Sequence, residues 1–265
     1  MNVNFISDFQ PFRMYGNLYF VGSAKYSVHL IDTEVGLVLI DTGVPDMYEQ
    51  ILDSIKYLGF DPKDICAIIH SHAHIDHFGC THKFKELSGA TTYISRIDND
   101  LLKNKTLSGA YRAENESLIR DCDVLIEDGD VLRFGSTSIR FRLAPGHTDG
   151  TLAIFITVSD GENSIIAAMH GGTGINTLTK EYITANGRPF SVRDDFRAAL
   201  HSLRDEHVDL VLGNHPYHTD TKGKLDRLTR GESILNQDEW RQLMFTVEKR
   251  LDDRIADEAK AEAEA

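Results

Sequence analysis

Apolar residues recur along this chain in short runs separated by turns, and these runs alternate with stretches of helical period. Residues 17–22 and 27–32 are rich in Tyr, Phe, Val and Ile, which predicts two antiparallel strands meeting around Ser23, Ala24 and Lys25. Gly36 breaks the chain before 37–43, a third strand ending in a turn. Met47, Ile51, Ile55 and Leu58 share one side of a helix over 46–58, which Gly59 stops. The apolar run 65–69 has strand length, and a helix over 81–88 and a short strand over 91–95 follow. Residues 96–122 carry Leu101, Leu102, Tyr111, Leu118 and Ile119 at uneven spacing, and predict one or two irregular helices inserted near the rim of a site. Short strands resume at 124–126, 131–134 and 138–143, with Glu127-Asp128-Gly129-Asp130 as a turn, then at 151–158, 165–169 and 208–212. Helices are expected over 194–203 and 240–251, the second with Trp240, Leu243, Met244, Val247 and Leu251 on one face. The Ala- and Glu-rich residues 255–265 predict a frayed helix or a disordered acidic tail, which leaves one domain over 1–254.

Three of the predicted strands end in loops that carry histidine. The run 65–69 leads into Ser71-His72-Ala73-His74-Ile75-Asp76-His77, with three histidines and one aspartate within six residues. Strand 138–143 leads into Gly146-His147-Thr148, and strand 208–212 into Gly213-Asn214-His215-Pro216. Imidazole and carboxylate are the ligands that suit zinc and similar borderline metals. Loops at strand tips converge at one edge of a sheet core, which gathers His72, His74, Asp76, His77, His147 and His215. Six protein ligands exceed what one catalytic zinc takes while keeping a position open, and they divide into two groups of three. Asp41 closes strand 37–43 in the same manner, either as a turn former or as a carboxylate that orients a ligand histidine. His170 follows strand 165–169 and either faces the site or caps its strand. The glycines of His170-Gly171-Gly172-Thr173-Gly174 let backbone approach closely.

Composition narrows the function classes. The 265 residues are 41% hydrophobic, enough for a sizeable core, and the net charge is −13. Phosphate backbones and anionic membranes are repelled on average, so the expected partner is a small-molecule substrate rather than nucleic acid or a membrane. The cysteines, Cys66, Cys80 and Cys122, are odd in number and form no C-x-x-C spacing; reduced apolar fillers are the expectation. Residues 1–12 lack the basic and apolar regions of a leader, and no run reaches membrane-span length, which predicts a cytoplasmic protein. An exported protein already trimmed of its leader would read the same. Nothing in the pattern sets an oligomeric state.

The motifs together resemble those of the metallo-β-lactamase superfamily: the loop 71–77, then Gly146-His147-Thr148, then His215, with Leu39-Ile40-Asp41-Thr42-Gly43 and the Leu58-Gly59 helix end in support. The similarity runs from about residue 17 to the helix at Trp240. It implies an α/β fold, a four-layer αββα sandwich of two mixed sheets flanked by helices, with two zinc ions per chain at one edge. On that resemblance His72, His74 and His147 hold the first metal, and Asp76, His77 and His215 the second. Most hydrolases of the superfamily add a bridging aspartate after the strand matching 165–169. This chain has Gly171-Gly172-Thr173 there, and so resembles the β-lactamase subclass that holds both zincs without a bridging Asp or a ligating Cys.

The resemblance implies a dinuclear zinc hydrolase whose metal-bound hydroxide attacks a carbonyl, with β-lactam amide hydrolysis as the best-matched activity. Asp76 is the candidate catalytic residue, orienting the nucleophile through its free oxygen. Thr173, Asn214, Tyr217 and His218, with Asn176, are candidates for substrate contact by position. The alternative is a lactonase, thioesterase or esterase on the same site. A di-iron redox protein is a third reading, and His74, where such relatives often carry Glu, argues for zinc instead. The complete ligand set argues against a non-enzymatic module, and no Gly-x-Ser-x-Gly elbow offers a serine nucleophile.

Overall fold

A computed structural model describes residues 9–103 and 120–264. The first half contains β1 (Phe12–Tyr15), β2 (Leu18–Phe20), β3 (His29–Thr33), β4 (Gly36–Ile40), α1 (Tyr48–Tyr57), β5 (Ile65–Ile69), α2 (Ile75–Phe78), α3 (Thr81–Ser88), β6 (Thr91–Ser95), α4 (Arg96–Lys103) and β7 (Val124–Ile126). The second contains β8 (Val131–Phe134), β9 (Thr137–Leu143), β10 (Leu152–Ser159), β11 (Ser164–His170), α5 (Lys180–Ala185), α6 (Val192–Leu203), β12 (Leu210–Gly213), α7 (Thr221–Thr229) and α8 (Glu239–Ala263).

The strands form two mixed sheets. One has seven strands in the order β1-β2-β3-β4-β5-β6-β7, the other five in the order β12-β11-β10-β9-β8. β1 to β4 pair antiparallel, β4 to β7 parallel, and β11 and β12 are the parallel pair of the second sheet. Parallel strands need a crossover, and α1 supplies the one between β4 and β5. β5 reads Ile-Cys-Ala-Ile-Ile because it is central and covered on both faces.

Alternation along the strands sorts the core into three layers. Val38, Ile40 and Ile69 meet Phe141, Ile154, Met169 and Leu212 between the sheets. Their neighbours Leu39 and Ile68 face outward and pack under Ile51 and Ile55 of α1 and Phe84 of α3. On the far side Phe155 and Val211 pack under Phe196 and Leu200 of α6 and Trp240 and Val247 of α8. Helices therefore cover both outer faces, and the αββα sandwich expected from the motifs is the fold observed. Among the described residues no helix is long and apolar enough to cross a membrane.

Several elements differ from the pattern reading. β1 precedes the first strand expected. The stretch 75–78, expected as loop, is one helical turn, so Asp76 and His77 sit on a helical element. α5 and α7 were not expected; short helices of mixed polarity leave little periodic signal. Helix α8 runs on to Ala263 instead of fraying after 254. Its last turns are rich in Ala, Glu and Lys, strong helix formers, and Glu258 and Glu262 are tied to Arg193 and Lys180. Of the irregular insertion expected over 96–122, α4 covers the first residues; Tyr111, Leu118 and Ile119 lie outside the described residues.

Candidate metal centre

β4, β5, β9, β11 and β12 all end at the same edge of their sheets, and the functional side chains follow those ends. Binding at the carboxyl ends of strands is the rule in open α/β sheets. The two halves are joined there by backbone: Leu152 N–H donates to Ser71 O (2.9 Å), and Ser27 N–H to Asn214 O (3.2 Å). All six residues predicted from sequence as metal ligands converge at this edge. His72, His74 and His147 form one group and Asp76, His77 and His215 another, each with one ligand atom per residue within 4.8 Å of the others. The groups are adjacent, for the rings of His72 and His77 lie 4.1 Å apart between centroids.

Hydrogen-bond partners fix which ring nitrogens face inward. A carbonyl oxygen only accepts, so His147 Nδ1 donates to Gly174 O (2.8 Å) and His215 Nδ1 to Lys25 O (2.8 Å). Asp41 Oδ2 takes the hydrogen of Ser71 Oγ (2.8 Å), so that hydroxyl accepts from His72 Nδ1 (3.1 Å). His77 Nδ1 donates to the same Asp41 oxygen (2.7 Å). The neutral forms of these four imidazoles therefore carry their lone pair on Nε2. In the first group His72 Nε2 and His147 Nε2 lie 3.1 and 2.9 Å from His74 Nδ1. Those three nitrogens can share a single hydrogen among them, so the cluster is short of donors. His77 Nε2 faces the second group and is buried with no hydrogen-bond partner among the protein atoms, which is costly unless a ligand completes it.

The electrostatics fit the same reading. Burial, then the neighbouring imidazoles, holds His72 well below the usual histidine range. Burial brings His147 down to about 4. Burial lowers His77 as well, but Asp76 and Asp41 outweigh it and leave the ring above its ordinary value. Asp76 is lowered: burial opposes ionisation, and His77, His215 and His74 more than offset it. Its Oδ2 lies 3.6 Å from both His77 Nε2 and His215 Nε2. Four of the five imidazoles are thus held toward the neutral form and the carboxylate toward the ionised one, a donor set that suits zinc; a cation at the second group would displace any proton on His77.

Asp41 follows β4 in the left-handed backbone region and acts as an orienting carboxylate. Its φ is +62°, a conformation Asp tolerates better than most residues. Its carboxylate accepts from Ser71 N–H (2.7 Å), Ser71 Oγ and His77 Nδ1. His170 takes the strand-capping role: Nδ1 accepts from Gly172 N–H (3.2 Å), and its ring meets Phe196 edge-on.

A cleft of about 390 Å³ opens onto both groups. Of the residues expected to contact substrate, Asn214, Tyr217, His218 and Asn176 line it, and Thr173 does not. The Thr173 hydroxyl pairs with His218 Nδ1 (2.8 Å), and Asn214 donates to Gly171 O (2.7 Å). Tyr217 is 67% exposed and stacked on His215 at 5.2 Å. Tyr26, Thr177 and Tyr182 also line the cleft and were not anticipated. A larger hollow of about 630 Å³ lies behind α3, against His70, Phe78 and Cys122, and none of the six donors lines it.

The sandwich, with two convergent groups of candidate metal ligands at its edge, fits a metal-binding hydrolase. A sequence profile for the metallo-β-lactamase superfamily matches residues 24–160, just over half of the chain, and the chain belongs to that superfamily. A subclass B3 metallo-β-lactamase of Bradyrhizobium japonicum superposes with a TM-score of 0.84 at 27% identity, over 97% of each chain. A probable metallo-hydrolase of Bacillus subtilis is 24% identical over 78% of this chain and 92% of its own length. An uncharacterized protein of Aquifex aeolicus is 32% identical over 44% of this chain, and the match spans only about half, 53%, of that protein. An N-acyl homoserine lactonase of Bacillus cereus is 26% identical over 48% of this chain and 56% of its own length.

Proposed function

We propose that this chain is a dinuclear zinc hydrolase that cleaves a small carbonyl substrate, with the amide of a β-lactam ring as the best-matched target. The observation that carries the reading is the pair of three-residue groups whose inward atoms are lone pairs or carboxylate oxygens. His72 Nε2, His74 Nδ1 and His147 Nε2 would hold one ion, and Asp76, His77 Nε2 and His215 Nε2 the other. When bound, such a pair supplies Lewis acidity toward a carbonyl and acidifies water toward neutral pH.

The chain's own residues supply position and proton handling. Asp76 is ionised and lines the cleft, so its carboxylate can accept a hydrogen bond from the attacking water and orient it. Tyr26 and Tyr217 flank His215 and offer aromatic faces to a substrate. His218 Nδ1 is committed to Thr173 and Asn214, so a substrate contact from this ring uses Nε2. The overall likeness to a subclass B3 enzyme over nearly the whole chain supports β-lactam hydrolysis. The lactonase relative supports a second reading, hydrolysis of a lactone or thioester on the same residues.

The test is turnover of nitrocefin against a panel of lactones and thioesters by zinc-loaded protein, with metal content measured on the same sample. Absent β-lactam turnover with lactone turnover present selects the second reading. Two irons per chain would overturn the assignment of zinc. His147→Ala is expected to abolish turnover with the fold retained.

A further inference from the structure

Asp98 belongs to neither histidine loop, yet it reaches both. It lies in the first turn of α4, its own N–H donating to Ser95 Oγ (3.1 Å), and it is fully buried. Oδ2 accepts from Ala73 N–H (2.8 Å) and from Thr148 Oγ1 (2.7 Å), and Oδ1 accepts from Gly150 N–H (2.9 Å). Ala73 is the residue between His72 and His74, and Thr148 follows His147. One carboxylate thus holds Ala73 by its backbone and Thr148 by its hydroxyl, beside all three imidazoles of the first group.

The surroundings are built around this contact. Thr148 Oγ1 has one hydrogen and gives it to the carboxylate, so Thr151 Oγ1 donates in turn to Thr148 Oγ1 (2.7 Å). A Cβ on Gly150 would sit 2.6 Å from Asp98 Oδ1 and 2.5 Å from Asp98 N, so a residue without a side chain is needed there. Burial pushes the Asp98 carboxyl up to about 6, although three donors oppose the shift. A buried carboxylate costs free energy that an apolar residue would not. It offers in return an acceptor-only group able to bind donors from two loops at once.

On the reading of the first group as a metal site, we propose that Asp98 is a positioning residue that sets the spacing of His72, His74 and His147 by holding Ala73 and Thr148 from a third element. Asp98→Asn is nearly isosteric but turns an NH₂ toward at least one of the three donors. Zinc affinity is to be measured by competition with a chromophoric chelator in two backgrounds. His215→Ala leaves the first group whole, and His147→Ala leaves the second.

Adding Asp98→Asn is expected to weaken zinc about 10–100-fold in the His215→Ala background, and to leave it within about twofold in the other. Equal losses in both backgrounds, or none in the first, overturn the proposal. Should Asp98→Asn lose its far-ultraviolet circular dichroism, Thr148→Val decides: it removes one of the three bonds and should weaken the first group alone, whereas an unselective or absent effect sinks the idea. Parent chain that binds no zinc in either background refutes the functional reading and this proposal together; parent chain that binds while the variants show no selectivity refutes only this one.

Discussion

Asp41 Oδ2 lies 2.7 Å from His77 Nδ1, and the same carboxylate also takes both hydrogens that Ser71 can donate. Ser71 Oγ in turn accepts from His72 Nδ1. One buried aspartate at the end of β4 therefore sets the tautomer of a histidine in each group: His77 directly, His72 through the hydroxyl. Replacing it by Ala strands the Nδ1–H of His77 and the N–H of Ser71 in the interior. Each unpaired buried donor costs about 1–3 kcal/mol, and losing such an orienting partner costs metal affinity about 10–100-fold. Asp41→Ala is expected to lower the urea midpoint and to weaken zinc binding together. A variant with parental stability and affinity would show that the contact carries neither.

The resemblance to the superfamily motif implies a bridging carboxylate at position 172, where this chain has Gly, and the structure leaves no room for a side chain there. A Cβ there would lie 2.6 Å from His147 Cβ and 3.0 Å from its Cγ. A side chain at 172 therefore competes for space with a residue of the first group. Gly172→Asp is expected to destabilise the fold by about 1–3 kcal/mol, as overpacking does, and to weaken the first group instead of adding a bridge to it. Thermal melts with and without zinc check this. An unchanged melting temperature with tighter zinc binding would mean that His147 yields the space.

The convergence of the six candidate donors could be read from the chain because they lie in one short motif and at two further strand tips, where the period of apolar residues marks each strand's end. His72, His74, Asp76 and His77 needed only the strand 65–69 before them. What surrounds them was less legible. Gly174 O and Lys25 O fix two imidazoles, and a backbone carbonyl has no sequence signature. Tyr26 reaches the cleft from the hairpin between β2 and β3, far away in the chain. Asp98 sits three residues after Ser95, the spacing of an N-terminal helix cap, and such a pair reads as local capping rather than as a link between distant loops. α8 shows the opposite failure: its charged last turns carry no apolar stripe, so their helical state follows from propensity and from Arg193 and Lys180.

The three thiols are fillers by environment. Cys80 donates to Val44 O (3.0 Å) and Cys66 to Leu37 O (3.4 Å). Burial pushes Cys80 and Cys122 up to about 12 and raises Cys66 as well. The thiolate is the reactive form, so at pH 8 the folded protein is expected to react only slowly with a disulfide reagent. Denaturant should release all three thiols. Rapid reaction of the native protein would contradict the suppression of the thiolate at these positions.

Removing metal tests the centre without presuming a substrate. Without metal, His77 Nε2 is buried with no hydrogen-bond partner, and His72 Nε2 and His147 Nε2 point their lone pairs at His74 Nδ1 from 3.1 and 2.9 Å. That arrangement carries a cost of about 1–3 kcal/mol for each unsatisfied group, which a bound cation relieves. A ligand that binds only the folded state adds about 1.4 kcal/mol for each tenfold rise in its free concentration above the dissociation constant. Dialysis against a chelator is therefore expected to lower the melting temperature, and zinc should restore it in a concentration-dependent way, while magnesium, which prefers oxygen ligands in octahedral geometry, should not. His72→Ala removes one donor of the first group and should shrink the zinc-dependent rise, and His215→Ala should shrink it through the second. A melting temperature that neither chelator nor zinc moves would mean that these six side chains hold no metal.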